Sequence, residues 1–173
     1  STTGNFNNYL IKTDNNGTLV WTKTFGGSAE EHGKCVLQTS DGGFIIMGDS
    51  YSFGLTGGGL YIIKTDANGS ESWSKTYGNY MGGNEKFSIQ QTADGGYVIA
   101  TSTIDFGDYD GCIIKTDVSG NVIWANSYDF MSGNEHGYSA KQTSDGGYII
   151  CGYAEIINGG GAYLVKTDAV GAH

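Results

Sequence analysis

Lys64-Thr65-Asp66-Ala67-Asn68-Gly69-Ser70-Glu71-Ser72-Trp73 is the stretch that decides how this chain folds. Tyr61 to Thr65 is a short apolar run rich in β-branched residues, Asp-Ala-Asn-Gly is turn chemistry, and Trp73 follows four residues beyond the glycine. The arrangement recurs at Asp14, Gly17 and Trp21 and at Asp117, Gly120 and Trp124. Its Lys-Thr-Asp core starts at residues 12, 64, 115 and 166, giving spacings of 52, 51 and 51. A second marker, Gln-Thr-x-Asp-Gly-Gly-aromatic, runs from Gln38 to Phe44, Gln91 to Tyr97 and Gln142 to Tyr148. Self-similarity at this period marks units that cannot bury their faces alone and do so by packing on their neighbours.

Apolar runs and turn residues divide one unit into four predicted strands. Strand a covers Lys34 to Thr39, b Phe44 to Gly48, c Tyr61 to Thr65 and d Glu71 to Tyr77. The a–b and c–d joins are short and place Asp or Asn before Gly, which predicts hairpins with glycine at positive φ. A four-stranded antiparallel meander follows. In the c–d turn the Asp is expected to accept backbone N–H bonds, the Gly to take the left-handed position, and the Trp to pack between neighbouring sheets.

The Asp–Gly turn followed by Trp resembles the tryptophan-docking repeat of quinoprotein-type β-propellers. The two markers together are similar to the Lys-Thr-Asp and Asp-Gly-Gly-Tyr repeats of bacterial and archaeal surface arrays. The resemblance implies an all-β chain of β-propeller blades, about three four-stranded repeats in one repeat domain: units 9–60, 61–111 and 112–162, and a partial unit 163–173. It does not extend to a quinone-binding set, and no cofactor is expected. A β-trefoil, also threefold, is the fold alternative; the Trp pattern argues against it. Propellers hold four to eight blades, so the ring is expected to be closed by a second copy, by blades outside this sequence, or by a strand-sharing assembly. Strand c occurs four times against three each of a, b and d, which leaves one c strand surplus.

The net charge of −9 argues against nucleic acid and anionic membranes, both of which reward a basic face. No apolar stretch approaches the roughly 20 residues that span a bilayer. With 30 glycines and neither arginine nor proline, the composition points to an extracellular or cell-surface protein. Cys35, Cys112 and Cys151 align with small or apolar residues of other repeats and are expected as inert packing residues.

The a–b and c–d turns are nearly the same in every copy, so fold explains them. The b–c loops (49–59, 102–111, 153–161) and d–a loops (26–31, 78–85, 128–135) differ, and loops on a rigid scaffold carry binding groups. Tyr51, Phe53, Phe106 and Tyr109, with Tyr80 and Phe130 of the d–a loops, are the candidate ligand-binding residues, suited to stacking on a glycan or anchoring a surface protein. Asp105, Asp108 and Asp110 lack calcium-loop spacing and read as a solvated acidic loop, so no metal is expected. Glu31, Glu85 and Glu135 recur at the start of strand a. One per blade fits a repeated local cap better than the paired carboxylates of a glycan-active enzyme. The leading expectation is a non-enzymatic binding module without catalytic residues; the alternative is a structural protein that self-assembles into rings or filaments.

Overall fold

A computed structural model describes residues 6–55, 57–78, 87–105, 108–129, 133–156 and 159–173; the side chains of residues 104, 105, 108 and 156 are not among those described. The described residues are all-β, with thirteen strands in four small antiparallel sheets and no helix. The chain divides into two compact units, Ser1–Gly78 and Asn79–His173.

The first unit holds β1 (Asn8–Thr13), β2 (Leu19–Phe25), β3 (Glu31–Gln38), β4 (Phe44–Ser50), β5 (Gly59–Thr65) and β6 (Glu71–Tyr77). β1 and β2 form a two-stranded sheet, and β3 to β6 form the expected meander, each strand antiparallel to the next. Predicted strand d and β6 share both ends; the other strands are longer than predicted because ladder bonds continue into the loops. Phe25, Ile46, Tyr61 and Ile63 form the core between the two sheets, with Leu10 and Phe44 packed against it. Full burial of one such isoleucine contributes on the order of 2 kcal/mol.

Trp21 performs the expected docking. Its ring lies edge-on to Phe44 across the two sheets, centroids 5.7 Å apart. It also closes over the next c–d turn, where a Cβ added to Gly69 would stand 2.9 Å from the indole. In that turn Asp66 Oδ1 accepts from the N–H of Asn68 and Ser70, both at 2.8 Å, and Gly69 has φ 75°.

The second unit repeats the design. β7 (Ser88–Gln91), β8 (Tyr97–Asp105), β9 (Asp108–Thr116) and β10 (Val122–Tyr128) form one sheet, and β11 (Glu135–Gln142), β12 (Tyr148–Ile156) and β13 (Gly159–Thr167) another. Val98, Ala100, Ile113, Tyr128, Ala140, Tyr148, Ile150 and Val165 pack between them. Trp124 stands edge-on to Tyr148 at 5.3 Å and covers Gly171, as Trp21 covers Gly69.

The Lys-Thr-Asp lysines reach back to the a–b turn. Lys64 Nζ lies 2.8 Å from Asp41, Lys115 2.9 Å from Asp94 and Lys166 2.8 Å from Asp145, and each also donates to the carbonyl of the following threonine. Lys64 and Lys115 are buried while Asp41 and Asp94 stay exposed, so each of these two pairs is half-exposed. The two glycines of Asp-Gly-Gly have different tasks. Gly42, Gly95 and Gly146 take φ of 82°, 82° and 84°. Gly43, Gly96 and Gly147 lie so close to the c-strand carbonyl of Thr65, Thr116 or Thr167 that a Cβ would overlap it.

Two expectations need correction. The second and third b–c loops are largely strand: β8 and β9 continue to Asp105 and from Asp108, and β12 and β13 to Ile156 and from Gly159. Antiparallel pairing such as Thr103 with Asp110 outlasts the apolar pattern that marked the strand ends. The expectation that all three cysteines are packed inside fails for Cys151, which is exposed, whereas Cys112 is buried and Cys35 half-buried. Cys151 lies on the face of β12 turned away from the Val98–Ile113 core, as does Leu164, 68% exposed, on β13.

Candidate functional site

Of the six candidate ligand-binding residues, Tyr80, Phe106 and Phe130 lie outside the described residues. Tyr51 and Phe53 are on one loop of the first unit, and Tyr109 is in the second unit.

The loop after β4 is built on buried polar contacts. Glu31, 1% exposed, accepts from the N–H of Gly27 at 3.0 Å and from Ser50 Oγ at 3.0 Å. Ser50 Oγ in turn accepts from the N–H of Ser52, and Ser52 Oγ from the N–H of Ala29 at 2.9 Å. Tyr51 N–H bonds the Glu30 carbonyl at 2.9 Å. Glu31 thus ties the d–a loop to the b–c loop, and the two serines, which composition did not single out, carry the tie onward.

On this platform the aromatic rings stand outward. Tyr51 is 46% and Phe53 53% exposed. His32 bridges Tyr51, at 6.2 Å between centroids, and Phe6, at 6.1 Å, while its Nε2 lies 3.8 Å from Glu30. Phe53 has φ 58°, the left-handed region that L side chains avoid. Its ring lies 5.1 Å from that of Tyr61 and borders a shallow cavity of about 160 Å³ lined also by Ser74, Lys75 and Thr76. Burial raises the Tyr61 hydroxyl above its usual range, so it stays protonated and can act as a donor. Asp49, behind the loop, is pushed up by burial, against the opposing effect of Lys34 at 3.2 Å.

In the second unit Tyr109 is half-buried and lies within β9 rather than in a loop. Its ring is 5.4 Å from His136, and its N–H donates to Asn134 Oδ1 at 3.1 Å. Asp110 is buried, which corrects the expectation of a solvated acidic residue at that position. One carboxylate oxygen each from Asp110, Asp129 and Glu135 come within 4.8 Å of one another, a spacing that a cation could bridge. Asp129 was missed in the sequence; the available signal was that Asp110 and Asp129 stand at repeat positions filled by Gly59 and Gly78. The side chains of Asp105 and Asp108 lie outside the described residues, as does Glu85.

No protein-family model matches the chain, and comparison with curated proteins gives no match. Among solved structures, a protein of unknown function from Bacteroides caccae is similar at 13% identity and TM-score 0.41, over 94% of this chain and 72% of that one. A likeness this distant carries no argument about fold or function.

Proposed function

We propose that the four sheets are β-propeller blades and that the chain is a non-enzymatic binding module, recognising a glycan or a protein surface through the loop end that carries Tyr51 and Phe53. The observation that carries this reading is Phe53: an exposed aromatic held at φ 58° above a cavity, on a loop fixed by Glu31, Ser50 and Ser52. Strained backbone persists where the surroundings over-determine it, and it concentrates at ligand clamps. Aromatic faces with nearby hydroxyls and a lysine are the chemistry that sugar rings require. The Trp21–Gly69 and Trp124–Gly171 contacts support the blade assignment, and the composition supports an extracellular or cell-surface location. Screening the purified chain on a glycan array, beside Tyr51→Ala and Phe53→Ala variants, tests the site. The reading expects a glycan class whose binding both variants lose with the fold intact; binding that survives both would sink it.

A further inference from the structure

We infer that Asn16 and Asn68 are acceptor sites for N-linked sugar, one on the β1–β2 turn and one on the β5–β6 turn of the first unit. The inference rests on the extracellular location proposed above, because this modification belongs to exported chains.

Each asparagine opens an Asn-x-Ser/Thr triplet, Asn16-Gly17-Thr18 and Asn68-Gly69-Ser70. Every other asparagine of the chain lacks a serine or threonine two places on. The two triplets occupy one position of the repeat, yet the turn they sit in does not require them. In all four copies the Asp side chain accepts from the N–H two and four residues on, and the Gly N–H returns to the Asp carbonyl at 3.1–3.2 Å. The third copy reads Asp117-Val118-Ser119-Gly120-Asn121 and the fourth Asp168-Ala169-Val170-Gly171-Ala172. Ser or Val there replaces the Asn, Asn or Ala replaces the hydroxyl residue, and the same bonds persist. The turn thus uses only the backbone of Asn16, Thr18, Asn68 and Ser70. All four residues are exposed, and among the described residues their side chains make no hydrogen bond.

An amide and a hydroxyl with no structural task, set two residues apart on an open turn, are the features that a sugar transferase reads. There is room at both. A Cβ on Gly17 meets nothing within 4 Å. At the second turn Trp21 and Lys23 cover Gly69, but Asn68 and Ser70 on either side of it face solvent. The donor class is an oligosaccharide joined to a lipid through pyrophosphate. The side-chain nitrogen bonds to the anomeric carbon, the bond from that carbon to the pyrophosphate oxygen breaks, and the amide gives up one proton as the lipid pyrophosphate leaves.

Sugar at Asn68 leaves the candidate site open. In the β4–β5 ladder Ser50 pairs with Gly59 at the end that carries the Phe53 loop, and Phe44 pairs with Thr65 at the end that carries the Asp66 turn. The length of β5 puts about 20 Å between the two.

The test is glycopeptide and intact-mass spectrometry of the chain isolated from the cells that make it, with the exported and retained fractions measured separately. The exported chain should carry sugar at both asparagines. Thr18→Ala and Ser70→Ala keep the asparagines and use the residue that the fourth copy has at Ala172. Each should remove the glycan of its own turn with circular dichroism unchanged. An exported chain bare at either asparagine, or sugar that survives the alanine change in its turn, overturns the inference and leaves the location standing. A chain found only inside the cell overturns the location and the inference with it.

Discussion

Replacing Gly69 by alanine should cost markedly more than the same change at Gly17, although the two turns are locally alike. In each, Asp14 or Asp66 accepts two backbone N–H bonds at 2.8–2.9 Å, and the glycine N–H returns to the Asp carbonyl at 3.1 Å. The φ values are 81° and 75°. Placing an L side chain there costs about 1–2 kcal/mol in both turns. The surroundings differ: a Cβ on Gly17 meets nothing within 4 Å, whereas on Gly69 it lies 2.9 Å from two carbons of the Trp21 ring and from Lys23 Cγ. The lysine can rotate away, but the indole is wedged against Phe44, and forced overpacking of this kind adds roughly 1–3 kcal/mol. Urea unfolding followed by far-UV circular dichroism should therefore give a loss of about 1–2 kcal/mol for Gly17→Ala and about 2–5 kcal/mol for Gly69→Ala. Trp21→Leu, made in both backgrounds, isolates the contact. It should remove most of the excess at Gly69 and leave the cost at Gly17 unchanged, a coupling that separates docking from fraying of the β1–β2 sheet. Equal losses at the two glycines, or no coupling to Trp21, would refute the docking account.

Three further outcomes are expected. The lysine and threonine bonds hold Asp41 down at about 2; at Asp94 burial acts upward but is outweighed by Thr92, Lys115 and Gly96, again giving about 2, against 3.8 for an ordinary aspartate. Folded values below the unfolded one mean that this stabilisation is complete above about pH 4 and is lost as pH falls towards 2, by about 1 kcal/mol per half-exposed pair. Asp94→Asn should therefore cost stability at pH 6 and almost none at pH 2; an equal cost at both would remove the pair from the account. Tyr128, buried, donates its hydroxyl to the Gly171 carbonyl at 2.9 Å, so Tyr128→Phe should destabilise the second unit by about 1 kcal/mol. Because burial pushes this hydroxyl up to about 12, ultraviolet titration of the wild type should show a late tyrosine that the variant lacks. At Phe53, glycine should be more stable than alanine by about 1 kcal/mol, since φ 58° suits only the former. The reverse order in thermal or urea melts would show that the loop relaxes to negative φ.

The sequence made the repeat, the meander and the docking tryptophan legible because each depends on residues close in the chain: a strand's alternation, an Asp-x-x-Gly turn, a Trp at fixed offset. What was hidden depends on neighbours that arrive from another sheet. Lys115 and Lys166 occupy the same marker, yet one is buried and the other half-exposed, because β9 has β10 beside it and β13 has no such strand among the described residues. Cys151 has strands on both edges yet is exposed, where the equivalent Met47 and Ala100 are fully buried, because among the described residues nothing covers that face of β12. Repeat alignment reports the residue that a position prefers. It does not report whether the sheet that would cover it is present.

The candidate site shows the complementary limit. Tyr51 and Phe53 could be singled out because aromatics are unexpected in a glycine-rich loop, but the features that make the loop a site are not aromatic. Glu31 recurs with Glu85 and Glu135, and recurrence alone assigned all three one local role. Glu31 has that role: its carboxylate is satisfied by Gly27 and Ser50 and positions the loop. Glu135 also stands beside Asp110 and Asp129, where the repeat has exchanged two glycines for acids. One repeated residue therefore serves two environments, and the difference is encoded at positions far along the chain from it. In a repeat protein the informative positions are those where a copy departs from its siblings, and two such departures count most when they fall beside the same invariant side chain.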